Sequence, residues 1–143
     1  MKFDHFGVVV KNLARDRQRL TDTLGIQKWT DEVSDPVNGV RVQFGCDGSG
    51  VNYELIEPFG DRSPVAQALK MRRNILNHVA YLVEDLQTAG EKLLSAGYAA
   101  VETAKPAVAY QGRLIQFFVT PQNFIIELIE APDHKHLFRS AGR

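Results

Sequence analysis

Two histidines and two glutamates recur at one spacing in this chain: His5 and His78 are 73 residues apart, and so are Glu54 and Glu127. Imidazole nitrogen and carboxylate oxygen are the donors that hold a divalent transition-metal ion, and as a mixed set they suit Zn, Ni, Co, Fe or Mn better than Ca. Two neutral imidazoles and two carboxylates would exactly balance M²⁺. Four protein ligands would also leave open positions on an octahedral ion, where a substrate can bind. One divalent ion held by His5, Glu54, His78 and Glu127 is therefore the expected cofactor, and the elements that carry these residues must bring them together.

The spacing belongs to the whole chain. Shifted by 73 residues, Asp4–Leu24 lies on Asn77–Gly97 and Gly39–Pro58 lies on Gly112–Ala131 without a gap, and 11 of the 41 aligned positions are identical. They include His5/His78, Leu13/Leu86, Gln43/Gln116, Phe44/Phe117 and the run Glu-Leu-Ile-Glu at 54–57 and 127–130. Self-similarity at a fixed offset marks a duplicated structural unit.

Each copy reads as strand, helix, then three strands. In the first copy a β-branched and aromatic strand covers Phe3–Val10. Asn12 then caps a helix over Leu13–Leu24 with Leu13, Leu20 and Leu24 near one face, and Gly25 terminates it. Strands follow near Ile26–Glu32, Gly39–Cys46 and Val51–Glu57. In the second copy Asp85 is the cap, Leu86, Ala89, Leu93 and Leu94 form the apolar stripe, and Gly97 ends the helix. Its strands fall near Ala99–Thr103, Arg113–Thr120 and Phe124–Glu130. The expected fold is α+β, with two βαβββ modules at about 3–58 and 76–131 in a single domain. Ser63-Pro64 is a helix-start signal for a linker helix over about 63–73. The polar tail after Pro132 is expected to fray or to dock on a partner.

Strand alternation supplies the positioning argument, since residues two apart share a face. Phe6, Val8 and Val10 suit the face under the helix, so His5 looks the other way. Tyr53 and Leu55 share one face and Glu54 lies on the opposite one. The second copy repeats this, with His78 and Glu127 opposed to Val79, Tyr81, Ile126 and Leu128. Each copy thus places one His and one Glu on the sheet face away from its helix, beside apolar neighbours. A carboxylate in such surroundings is costly unless it is paired or metal-bound.

Composition narrows the function classes. Seventeen basic and seventeen acidic residues give zero net charge, so a nucleic-acid or membrane-surface partner is not expected. The apolar start is too short for a signal peptide or a spanning helix. Cys46 is the single cysteine, which precludes an internal disulfide and fits a cytoplasmic protein with a structural thiol.

The segments HFGVVV, YELIEP, HVAYLV and IIELIE, in paired strand-helix-three-strand modules, resemble the vicinal oxygen chelate superfamily of glyoxalases, methylmalonyl-CoA epimerases, extradiol dioxygenases and drug-resistance proteins. The resemblance covers about residues 3–131. It implies that the modules form a cupped mixed β-sheet around a central cavity, with His5, Glu54, His78 and Glu127 as the metal ligands. The order His, Glu, His, Glu resembles bacterial glyoxalase, whereas YELIEPFGDRSPVAQALKMR and KPAVAYQGRLIQFFVTP resemble the epimerases. Val42 departs from the pattern, standing near the place where some epimerases carry a second acidic base.

The resemblance implies a metal-dependent enzyme, an epimerase, isomerase or glyoxalase-type lyase, that abstracts a proton α to a carbonyl of a small oxo-acid, acyl-CoA or thiol adduct. Glu127 or Glu54 would be the base. Gln43, Gln116, Arg41 and Tyr110 are candidate substrate contacts, with Tyr110 as a lid. Lys70, Arg72 and Arg73 could meet coenzyme A phosphates or serve as helix-end charges. His134 and His136, in the tail, read as incidental. A homodimer is expected, since superfamily members pair modules within or between chains. An extradiol dioxygenase and a non-catalytic drug- or metabolite-binding protein are the alternatives.

Overall fold

The computed structural model describes residues 1–60, 63–73 and 75–140. They form a mixed α+β fold of two compact units. One unit comprises His5–Asn77 and the described residues from Lys135 onward; the other comprises Met1–Asp4 and His78–His134. The first strand, β1 (Lys2–Val9), changes unit after Asp4.

In the first unit β1 leads into α1 (Leu13–Leu24), then β2 (Lys28–Trp29), β3 (Val33–Asp35), β4 (Val40–Cys46) and β5 (Asn52–Pro58). The β4–β5 pair is a long antiparallel ladder from Val40↔Pro58 to Cys46↔Asn52, and β5 runs parallel to β1. Both β2 and β3 pair with β4. Helix α1 starts where Asn12 Oδ1 accepts the Arg15 N–H at 2.9 Å. It stops at Gly25, whose φ of +68° is the left-handed conformation that glycine adopts without a Cβ penalty. The Leu13 N–H is one of the helix's orphan donors and finds its acceptor outside the helix, in Glu57 Oε2 at 2.7 Å. Leu13 and the half-buried Leu20 pack on Val8, Val10, Ile26, Trp29, Tyr53 and Leu55, which makes the core of this unit. Leu24 is exposed.

The second unit repeats these devices. Strand β6 (Leu76–Leu82) precedes α3 (Leu86–Ser95), β7 (Ala99–Ala100), β8 (Lys105–Ala107), a 3-10 turn (Val108–Tyr110), β9 (Arg113–Val119) and β10 (Ile125–Ile129). Strand β10 is parallel to β6 and antiparallel to β9, and β7 and β8 both pair with β9. Asp85 Oδ1 caps α3 through the Thr88 N–H at 2.8 Å, and Glu130 Oε2 accepts the Leu86 N–H at 2.8 Å. Val83, Leu86, Leu93, Phe118, Ile126 and Leu128 form its core, with Leu94 left exposed.

Between the modules α2 is a six-residue helix, Ala66–Met71, shorter than the 63–73 expected, with Val65 rather than Ser63 at its N-cap. The strand expected over Ile26–Glu32 is reduced to Lys28–Trp29, because Thr30 leaves the ladder to bond Phe44 with both its backbone N–H and its Oγ1. Strand β8 contains Pro106, which stands opposite Leu114 of β9 and cannot itself donate to the ladder. The tail returns to the first unit as β11 (Arg139–Ser140), antiparallel to β2 with Arg139 opposite Trp29. Among the described residues no helix is long and apolar enough to cross a membrane.

Candidate metal centre

Each unit holds one buried His–Glu pair. In the first, His5 extends from β1 and Glu54 from β5, with His5 Nε2 3.3 Å from Glu54 Oε1. In the second, His78 extends from β6 and Glu127 from β10, with His78 Nε2 3.2 Å from Glu127 Oε1. None of the four residues is more than 8 % exposed. The parallel registers set small residues beside both carboxylates, Gly7 opposite Glu54 and Ala80 opposite Glu127, which leaves room for the acid groups. Residues 54 and 127 alternate with Leu55 and Leu128, which belong to the helix-side cores. The pairs therefore occupy the face away from the helices, as strand parity requires.

A further repeat-related pair belongs to each arrangement. Phe44 lies directly across the β4–β5 ladder from Glu54 and meets the His5 ring edge-on at 5.1 Å. Phe117 lies across the β9–β10 ladder from Glu127 and meets the His78 ring edge-on at 5.3 Å. These aromatic walls fix the imidazoles in place. Their identity in the repeat was visible in the sequence, and their register opposite the glutamates is the signal that would have assigned them to the site.

Buried imidazole and carboxylate donors of this kind could hold a metal ion. The donor chemistry fits. A carboxylate taken out of water needs a cation or hydrogen-bond donors, and a metal-bound imidazole must present a bare nitrogen. In each pair Nε2 and Oε1 face each other across little more than hydrogen-bond distance, so one cation could engage both after a small adjustment.

The expected substrate contacts fall elsewhere. Gln43 stands opposite Leu55 and Gln116 opposite Leu128, so both lie on the helix side of their sheets. Gln43 accepts from Arg17 Nη1 of α1 at 3.1 Å and donates to the Thr30 carbonyl at 2.6 Å. Gln116 donates to the Glu102 carbonyl at 2.9 Å. Strand parity thus corrects their placement beside the His–Glu face. Arg41 shares the face of Gln43: it bonds Glu57 Oε1 at 3.2 Å and covers the Phe59 ring at 5.2 Å. It serves the surface around the α1 cap and does not reach the His5–Glu54 face.

Tyr110 is also misplaced as a lid. It is 2 % exposed, its hydroxyl donates to Asp4 Oδ2 at 2.8 Å, and its ring packs against His134 at 4.5 Å. A buried, hydrogen-bonded phenol is a structural anchor. Lys70, Arg72 and Arg73 are exposed at the end of α2. Val42 is 3 % exposed and stands opposite Ile56, so no carboxylate occupies that position on the Glu54 face. His136, read as incidental, stacks on Phe44 with ring centres 4.2 Å apart and planes 28° from parallel.

Comparison with known proteins finds relatives of nearly the whole chain. The chain is 28% identical over 130 residues to the ethylmalonyl-CoA/methylmalonyl-CoA epimerase of Cereibacter sphaeroides, covering 90% of this chain and 95% of that one. The crystal structure of methylmalonyl-CoA epimerase from Mycobacterium tuberculosis superposes with a TM-score of 0.74 at 28% identity, over 90% of this chain and 86% of that one. A hypothetical protein of Bacillus halodurans shares the fold with a TM-score of 0.80 at 21% identity, over 95% and 98% of the two chains. Residues 4–117 match the sequence pattern that defines one family, and they span most of the chain. The chain belongs to the glyoxalase/bleomycin resistance protein/dioxygenase superfamily and has its vicinal oxygen chelate fold.

Proposed function

We propose that His5, Glu54, His78 and Glu127 together hold one divalent ion, and that the protein is a metal-dependent epimerase of an acyl-CoA bearing an acidic α-hydrogen. The observation that carries this reading is the duplicated, buried His–Glu pair with its aromatic wall. The epimerase names of the 28% identical relatives supply the substrate class. When bound, the ion would act as a Lewis acid that stabilises negative charge developing on a substrate carbonyl oxygen.

The chain's own residues supply the remainder. Glu54 and Glu127 are the carboxylates of the site; one of them would take the α-proton from one face of the substrate carbon and the other, as a carboxylic acid, would return a proton to the opposite face. Phe44 and Phe117 hold the imidazoles edge-on, each within its own unit, and Val42 and Ile56 make the face beside Glu54 apolar. The apolar Val42 leaves proton transfer to the site's own carboxylates, with no further acid at that position.

Protein purified without chelator should carry close to one equivalent of divalent metal, and removing the ion should lower Tm, because bound metal stabilises the folded state by mass action. In D₂O the metal-loaded protein should exchange the α-hydrogen of a 2-carboxyacyl-CoA such as methylmalonyl-CoA. Failure to bind Zn²⁺, Ni²⁺ or Co²⁺ by both metal analysis and Tm would remove the metal centre. Metal binding without exchange on any CoA thioester would remove the epimerase reading alone.

A further inference from the structure

The word Gln-Phe is identical in the two copies, at 43–44 and 116–117, and its two residues serve opposite faces of each sheet. Phe44 and Phe117 stand against the imidazoles, while Gln43 and Gln116 reach from the helix side to the segment that leaves the edge strand. In the first copy that segment begins at Thr30, just past β2. A residue at this ladder position would ordinarily exchange two backbone hydrogen bonds with Phe44. One is kept, from the Thr30 N–H to the Phe44 carbonyl at 2.9 Å. Two side chains replace the other: the Phe44 N–H donates to Thr30 Oγ1 at 3.0 Å, and the Thr30 carbonyl accepts from Gln43 Nε2 at 2.6 Å. The second copy repeats the device with the acceptor one residue later. Val101, the first residue past β7, donates its N–H to the Phe117 carbonyl at 2.9 Å, and the Glu102 carbonyl accepts from Gln116 Nε2 at 2.9 Å.

We propose that Gln43 and Gln116 are positioning residues of the two His–Glu pairs, each fixing from the helix side the backbone of the phenylalanine that walls its imidazole. This rests on the metal-centre reading and adds what holds each donor pair in shape. A carbonyl shielded from water must find a donor. Without the Gln43 amide, the Thr30 carbonyl would recover one by returning to the Phe44 N–H, and the edge strand would zip up past Trp29. Phe44 would then exchange its hydroxyl acceptor for a backbone one, and its ring would turn relative to His5. A primary amide suits the task because it donates at one end and accepts at the other. Arg17 Nη1 of α1 holds Gln43 Oε1 at 3.1 Å, which leaves Nε2 directed at Thr30. The repeat-equivalent helix position, 73 residues on, is Gly90 of α3, and a Cβ there would fall 3.9 Å from Gln116 Oε1. Both amides thus lie between the same helix position and the same edge segment, and the first is braced at both ends.

The test reads the two imidazoles separately, by the NMR shifts of the His5 and His78 ring protons in metal-free protein, which respond to the orientation of the adjacent phenylalanine ring. Gln43→Leu and Gln116→Leu keep bulk and remove the donor; Thr30→Val removes the hydroxyl and Thr30→Ser keeps it. We expect Gln43→Leu and Thr30→Val to move the His5 resonances and leave those of His78, Gln116→Leu to do the converse, and Thr30→Ser to match the parent. If one glutamine variant does not fold, the other copy supplies the test. Glu57→Ala, which loosens the start of α1, should lower stability with both histidines unmoved. Zn²⁺ affinity, measured by calorimetry, should fall roughly 3- to 10-fold in each glutamine variant, the worth of one hydrogen bond. His5 unmoved in Gln43→Leu and Thr30→Val, both histidines moving together, Glu57→Ala moving His5 as far, or parent-like Zn²⁺ affinity in the glutamine variants overturns the positioning role. A parent protein that binds no Zn²⁺ overturns the metal-centre reading instead, and the ring shifts still decide the role of the glutamines.

Discussion

Replacing a carboxylate of the proposed site by its amide keeps shape and removes charge and basicity, so the two glutamates can be separated as base and ligand. If Glu127 is the base, Glu127→Gln should lower α-hydrogen exchange by about 10²–10⁴-fold with metal largely retained; exchange at the parent rate, measured by mass shift in D₂O, would move the base role to Glu54. Glu57 has a different task three residues beyond Glu54. Its Oε2 satisfies the Leu13 N–H and its Oε1 receives Arg41, so Glu57→Ala should cost about 1–2 kcal/mol of stability in urea unfolding without changing metal stoichiometry. The four buried His and Glu positions were legible from repeat spacing and strand parity. Gln43, Gln116 and Arg41 were misassigned although the same parity applied to them. Antiparallel partners share a face, and Leu55 and Leu128 were already assigned to the helix side. Tyr110 was not legible, because its partner Asp4 is 106 residues away.

At the scale of elements, long periodic segments could be read and short edge pieces could not. Helix α1 has the expected bounds because cap, apolar spacing and terminal glycine agree. Strands β3 and β8 are three residues long and owe their existence to a longer partner, β4 or β9, while the two-residue β11 pairs with the equally short β2. No local pattern announces such strands. Close approach of elements is equally hidden until partners are known: a Cβ at Gly45 would fall 2.6 Å from both Ile26 Cγ2 and Trp29 Cζ3. Gly45→Ala should therefore destabilise the first unit by about 1–3 kcal/mol through overpacking, measurable as a lower urea midpoint and a shifted Trp29 emission.

At the scale of the whole molecule, two copies of one module carry equivalent His–Glu pairs, and the chain's first residues belong with the second copy. Phe3 meets Tyr81 at 6.1 Å, and Asp4 receives the buried Tyr110 hydroxyl. The start of the first strand, through Asp4, is thus part of a unit whose other residues begin at His78. Asp4→Ala should lower the Tm, at a cost of about 1–3 kcal/mol for the stranded phenol. Asp4→Asn, which keeps an acceptor, should cost less. A parent-like Tm for Asp4→Ala would show that the Asp4–Tyr110 bond contributes nothing net.

The shared word Glu-Leu-Ile-Glu has a consequence for how insertions and deletions can accumulate in this chain. Its first glutamate lies beside a buried histidine and its last, three positions on, accepts from the helix start. Three is an odd interval on a strand, so the two acids always face opposite ways. A slip of β5 or β10 by one residue would turn Glu54 or Glu127 into the helix core and strip the helix of its acceptor in the same move. Registry is thereby checked twice by one short word, and drift in length is confined to the loops.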